Sequence, residues 1–286
     1  MVRDGILSGT RALVIGGSGG IGLATARLLA ADGCRVTIAG RDEQRLVDAL
    51  RTLAAEGLVV HPCPCDTLNP LDVADAVAVA TEGESLEIAV TVPGAGTAGR
   101  LVELDPEQFS ADIDRNVRPV FLLVKYAVPA MPPGGSMVAV SSTAVVTSAR
   151  GLASHKAGKA AVDALVEAAA DELGEEGIRI NSVRAGVTGA TGPGGVVVDD
   201  ETAELVRAGQ PLTRSGEIDD IAQAIRFLAG PESSWVTGQH LTVDGGHVLR
   251  AFPDLRPPPV AGDPAIDLSD EVLAAEADVA EAATTP

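Results

Sequence analysis

Apolar residues in this chain fall into two recurring patterns. Short, nearly continuous runs such as "RALVIGG", "RVTIAG", "LVVHPCPCD", "LEIAVTVPGAG", "GSMVAVSS", "IRINSVRAG" and "QHLTVDGG" have the length and β-branched content of buried strands. Between them lie longer stretches with an apolar position every third or fourth residue. These are "GGIGLATARLLAADG", "DEQRLVDALRTLAAEG", "NPLDVADAVAVATEG", "DPEQFSADIDRNVRPVFLLVKYAVPAM", a run from "SHKAGKAAV" to "EAAADELGEEG", and a helix that follows a Gly-rich segment. Strands that alternate with helices predict right-handed β-α-β units and a parallel sheet. The expected fold class is α/β, a single-domain, doubly wound, parallel sheet of Rossmann type over residues 1–250, with helices on both faces.

Composition narrows the possible partners. With 286 residues and 46% hydrophobic content, the chain can bury a large core. A net charge of −19 argues against nucleic acid or an anionic membrane as partner. No apolar run reaches the length of a membrane span. The chain enters strand-like sequence almost at once, without a secretory apolar region, and its three cysteines are too few for a disulfide framework. A cytoplasmic location is therefore expected. Cys63 and Cys65 in "CPC" have no accompanying cluster of ligand residues; they read as strand cysteines, and no metal is expected. Residues 251–286 hold eight acidic residues against Arg256 alone, which accounts for −7 of the net charge. A Pro-rich linker, "PDLRPPPVAGDP", leads there into a short acidic helix capped by Ser269, so this tail is expected to lie outside the domain.

The first strand is followed by "GGSGGIG" and then a helix. In that setting Gly16 suits a tight turn, Gly20 close backbone approach, and Gly22 close packing of helix on strand, while the helix N-terminus offers free N–H groups to a pyrophosphate. A dinucleotide cofactor is expected. The second strand ends in "IAGRD", with Gly40 where a carboxylate would hold a ribose 2′-hydroxyl and Arg41 after it. A guanidinium suits a 2′-phosphate, so NADP(H) is favoured over NAD(H).

The stretch "SHKAGK" sets His155 and Lys159 four residues apart on one helical face. Together with Ser142 thirteen residues before the histidine and the glycine spacing at Gly16–Gly22, it resembles the short-chain dehydrogenase/reductase family over roughly residues 7–249. That resemblance implies an oxidoreductase acting on a small molecule. It implies catalytic roles for Asn116 in "DRNV", Ser142 in "VSS", and Lys159, and an adenine contact for Asp66 in "CD". It also places Ser18, Ile21, Gly96, Gly186 and Thr188 beside the cofactor, and it implies a homodimer or homotetramer paired through two long helices. The family's tyrosine position falls on His155, while the chain's sole tyrosine, Tyr126, lies on the preceding helix. Further departures are "PGAG" at Pro93–Gly96, Ile15 before the first glycine, Ala185 before Gly186, and Pro119 within the helix that carries Asn116, where a bend is expected.

An imidazole titrates near pH 6.5 when unperturbed, and a nearby Lys159 ammonium would lower that value. His155 is then a base and hydrogen-bond donor more than a strong acid. Three readings follow: a reductase of ketones or imines with His155 as the acid/base residue, an altered reaction such as alcohol oxidation or proton abstraction, or a cofactor-binding pseudoenzyme. The first accounts best for the joint presence of Asn116, Ser142 and Lys159. The segment "TGATGPGGVVVDDETAELVRAGQ", a Gly/Pro-rich loop leading into a short helix, with Gly189, Gly192, Gly194 and Gly195 and an apolar Val196–Val198, has the composition of a mobile lid.

Overall fold

The computed structural model describes residues 5–94, 96–148, 150–188 and 200–250. Seven strands form one sheet: β1 (Arg11–Ile15), β2 (Arg35–Gly40), β3 (Val60–Pro64), β4 (Ile88–Thr91), β5 (Ser136–Ser142), β6 (Arg179–Ala185) and β7 (His240–Val243). All pairings are parallel, in the order β3-β2-β1-β4-β5-β6-β7. The connecting helices are α1 (Gly20–Ala31), α2 (Glu43–Ala55), α3 (Pro70–Thr81), α4 (Pro106–Ala127), α5 (Ala153–Leu173), α6 (Asp200–Gly209) and α7 (Ile218–Ala229).

The sequence pattern accounts for the layers. Successive strand residues point to opposite faces, so β1 sends Leu13 and Ile15 into one apolar cluster and Ala12 and Val14 into another. The first cluster is closed by α3, α4 and α5 through Val73, Leu123 and Val166, and the second by α1, α2 and α7 through Leu29, Leu46 and Ile225. A strand covered on both sides has no polar face, which is why these segments read as continuous apolar runs.

Local chemistry sets where several helices begin. Asp42, Asn69 and Asp105 cap α2, α3 and α4 by accepting from Arg45 N, Leu71 N and Gln108 N, and Pro70 and Pro106 occupy first-turn positions where no N–H is needed. Helix α4 runs on through the buried Pro119, the position at which a bend is expected. Cys63 and Cys65 sit in the core, and burial pushes both thiols up, Cys65 to about 12, so they are unreactive side chains. Among the described residues no helix is long and apolar enough to cross a membrane. Of the segment expected to form a lid, residues 189–199 lie outside the described residues, as does the acidic tail, while the short helix expected after the loop is α6.

Candidate active site

In the sheet order, the chain reverses its winding between β1 and β4, and a cleft opens there beyond their carboxyl ends. It has two adjoining parts, of about 320 Å³ and about 290 Å³, and Gly16, Gly19, Arg45, Val92, Pro93 and Gly94 line both.

The floor is the loop between β1 and α1. Gly16 has φ +83 and Gly20 φ +52, in the left-handed region that glycine enters without strain. A Cβ on Gly22 would collide with the carbonyl oxygen of Gly16, so the first turn of α1 can press onto the loop only with glycine there. Gly19 is the N-cap of α1, and a Cβ on it would come within 2.6 Å of Arg45 Nη2. Bare backbone, a helix N-terminus and a guanidinium thus meet at one place, which suits a pyrophosphate or another phosphate group. In the second part of the cleft Ser18, Gly40 and Arg41 line the wall beside them.

The other end of the cleft is lined by Ser142, His155 and Lys159, with Gly186 and Thr188 beyond β6. His155 and Lys159 lie on the first two turns of α5 and are only 2% and 3% exposed. Ser142 ends β5, and its Oγ accepts from Ala144 N at 3.1 Å. Lys156, between the two α5 residues, turns the other way: its Nζ donates to the carbonyls of Ala144, Val145 and Thr147 at 2.8, 2.8 and 2.7 Å. That ammonium holds the turn after Ser142 in place.

The family model described as "Enoyl-(Acyl carrier protein) reductase" matches residues 16–247. A tropinone reductase homolog of Arabidopsis thaliana is 33% identical over 251 residues, covering 86% of this chain and 93% of that protein. A short-chain type dehydrogenase/reductase from Mycobacterium ulcerans superposes with a TM-score of 0.80 at 34% identity, covering 87% of this chain and 93% of that one. The chain belongs to the short-chain dehydrogenase/reductase family. A short chain dehydrogenase from Burkholderia cenocepacia, solved in complex with NADP, has a TM-score of 0.77 at 33% identity, over 84% of this chain and 98% of that one.

As in its short-chain dehydrogenase/reductase relatives, the chain is built on a fold that binds a nicotinamide cofactor. Most residues singled out from the sequence converge on the cleft, and four do not line it directly, of which Gly22 is packed against Gly16. Asn116 is fully buried behind the wall, with Nδ2 donating to Asp112 O at 2.8 Å, and a Cβ on Gly158 of α5 would lie 2.9 Å from its side chain. Gly96 packs against His155, where a Cβ would come within 2.7 Å of the histidine Cβ. Asp66 turns Oδ1 toward Leu68 N at 3.1 Å, and its neighbours Thr67 and Leu68 line the cleft in its place.

Lys159 is held between two backbone carbonyls. Its Nζ donates to Pro93 O at 2.5 Å and Val140 O at 2.7 Å. Burial pushes it down to about 7, against the opposing charge of Asp163 one turn later, which is itself held by Arg184 at 2.7 Å. A neutral amine has two N–H groups, one for each carbonyl, and a lone pair left to take a proton. Burial thus favours the neutral amine more than in an exposed lysine.

Two contributors were missed in the sequence. Arg45 lies in the first turn of α2, four positions after Arg41, which precedes the Asp42 cap, and a second guanidinium so close in the chain is the signal that could have found it. Among the described residues neither arginine has a carboxylate within ion-pair distance. Asp112 stands one turn before Asn116 and is 1% exposed.

Proposed function

We propose that this chain is an NADP(H)-dependent oxidoreductase that reduces a ketone or imine of a small organic substrate, with His155 as the acid/base residue in place of the family's tyrosine. The observation that carries the reading is the single cleft that has Gly16, Gly19, Arg41 and Arg45 at one end and Ser142, His155 and Lys159 at the other. The glycine loop, Arg41 and Arg45 would hold NADP(H) along this cleft, and the reduced cofactor would supply the hydride that the substrate carbon takes up. Ser142 Oγ donates a hydrogen bond to the substrate oxygen or nitrogen, and His155 delivers the proton that this atom needs as the carbon is reduced. Lys159, one turn beyond His155, joins the carbonyls of Pro93 and Val140 and so holds the loop after β4 against β5 beside the imidazole. The arginine pair receives the 2′-phosphate end of the cofactor, with Ser18 beside it. The named relatives support this reading, one as a homolog of a ketone reductase and one as an NADP complex.

The test is purified full-length protein with NADPH and a panel of ketones and cyclic imines between about pH 5 and 8, followed by cofactor absorbance. Turnover of any member supports the reading. NADPH binding without turnover of any of them would favour a cofactor-binding protein instead.

Cofactor choice can be examined without a substrate. One charge-assisted hydrogen bond contributes about 1.5–3 kcal/mol, or roughly 10- to 100-fold in affinity. Arg41→Ala should therefore weaken NADPH by at least about tenfold and NADH by less than about twofold, as measured by fluorescence titration. Equal losses for both would place the guanidinium away from the 2′-phosphate.

The chain is also proposed to pair with itself through α4 and α5. The outer side of α4 shows a broad, largely apolar hollow that includes Phe109, Val117, Phe121 and Tyr126. Light scattering at micromolar concentration should give a multiple of the 28.9 kDa chain mass. A clean monomer mass would reject the pairing.

A further inference from the structure

We propose that Asp112 is a positioning residue that seats His155, by joining the loop after β4 to the first turn of α5 through one carboxylate. The proposal deepens the reading of His155 as the acid/base group and rests on it for its functional meaning.

Asp112 Oδ2 accepts from Thr97 N and from Ser154 Oγ, both at 2.7 Å. Oδ1 accepts from Gln108 Nε2 at 2.9 Å, with Arg115 Nη1 at 3.7 Å. Two of these partners stand directly beside the contact that holds the histidine. Ser154 is wholly buried and immediately precedes His155, while Thr97 immediately follows Gly96, the residue that packs against the His155 Cβ. One oxygen atom thus holds both sides of the contact that locates the imidazole. The same two segments meet again where Gly99 N donates to Gly151 O at 3.0 Å.

Helix α5 has a particular need for this carboxylate. Its N-cap, Leu152, provides no side-chain hydrogen bond, and its first turn contains no acidic residue. A helix N-terminus favours a negative charge, and here Asp112 supplies it from α4. Burial works to raise this carboxyl, but hydrogen bonds from Ser154, Thr97 and Gln108 outweigh it and hold the group below the usual carboxylate range. The carboxylate therefore stays ionised throughout the range in which the protein would work. One turn further along, Asn116 packs on Gly158, so α4 and α5 are joined on both sides of His155. A reacting group misplaced by about 1 Å can lose about 100-fold in rate, so the tie has a kinetic consequence.

The chain has four histidines, so their ring carbon–proton signals can be resolved by NMR and His155 assigned through His155→Gln. Asp112→Asn, and separately Ser154→Ala, should move the His155 signal and leave those of His61, His240 and His247 in place. In the reductase assay both variants should lower kcat by roughly 10- to 100-fold with KM for NADPH within about twofold. A His155 signal that does not move in a folded variant, with only a lower melting temperature, would overturn the proposal and leave Asp112 as a support of the fold. If Asp112→Asn does not fold, Ser154→Ala, which deletes a single hydroxyl, decides by the same signal. Absence of turnover by the native protein would remove the functional reading of the site. The NMR comparison would still decide whether Asp112 seats the imidazole.

Discussion

Replacing His155 with alanine should lower NADPH-dependent turnover at least about 100-fold while leaving NADPH affinity within about twofold. General acid–base groups contribute about 10²–10⁴-fold, and His155 is the imidazole that lines the cleft with Ser142 and Lys159. The side chain is buried at the mouth of α5 and packs against Gly96, so its removal takes away an imidazole without disturbing the glycine loop after β1, which lies at the opposite end of the cleft. Steady-state rates and a cofactor titration on the same preparation separate the two effects. A variant that keeps most of its turnover would take the imidazole out of the chemistry. His155→Tyr provides the complementary measurement, because a phenol reaches farther and ionises at higher pH. Its turnover should follow a different pH dependence from that of the native protein.

Lys159→Met should abolish turnover and also change how stability depends on pH. In the unfolded chain the lysine keeps its proton up to its ordinary value of 10.5, and in the folded protein it releases it at about 7. Between those values the unfolded state binds more protons, so the lysine makes stability rise with pH. Below pH 7 both states are protonated and the full cost of burying the ammonium is present, roughly 5 kcal/mol at 1.36 kcal/mol per pKa unit. Above about pH 10.5 both are neutral and the cost is gone. Methionine has no such titration. Urea denaturation at pH 6.5, 8 and 9.5 should therefore show the native protein gaining on the variant as pH increases. Parallel pH dependences for the two proteins would mean that Lys159 keeps its proton throughout. The variant also leaves Pro93 O and Val140 O without their donor, a penalty that is present at every pH and so does not alter the sign of the slope.

The architecture was legible because it depends on local periodicity. The runs around Leu13, Ile38 and Val138 had to be strands covered on both sides, and the stretches around Leu46 and Val166 had to be helices with one apolar face. Gly16, Gly20 and Gly22 could be placed at a tight strand–turn–helix junction because such a junction requires bare backbone at that spacing. Ser142, His155 and Lys159 carried a recognisable spacing, and the fold brings them to one end of the cleft. Arg45 and Asp112 were passed over for a common reason. Each is one charged residue among many on a polar helix, and its value lies in what stands opposite it in space.

Charge state was the least legible quantity of all. From its sequence Lys159 is an ordinary ammonium beside a histidine. In the fold it is closed in between the carbonyls of Pro93 and Val140, and desolvation makes the neutral form competitive near pH 7. The contact between Gly96 and His155, and the carboxylate that spans Thr97 and Ser154, likewise join residues more than forty positions apart. The sequence by itself determined the sheet, its helices and the glycine cradle, because hydrophobic period and backbone freedom are properties of neighbouring residues. Only the tertiary structure decided which polar groups are buried together, and so which of them hold a proton, because desolvation and hydrogen bonding arise when distant segments close around the same atoms.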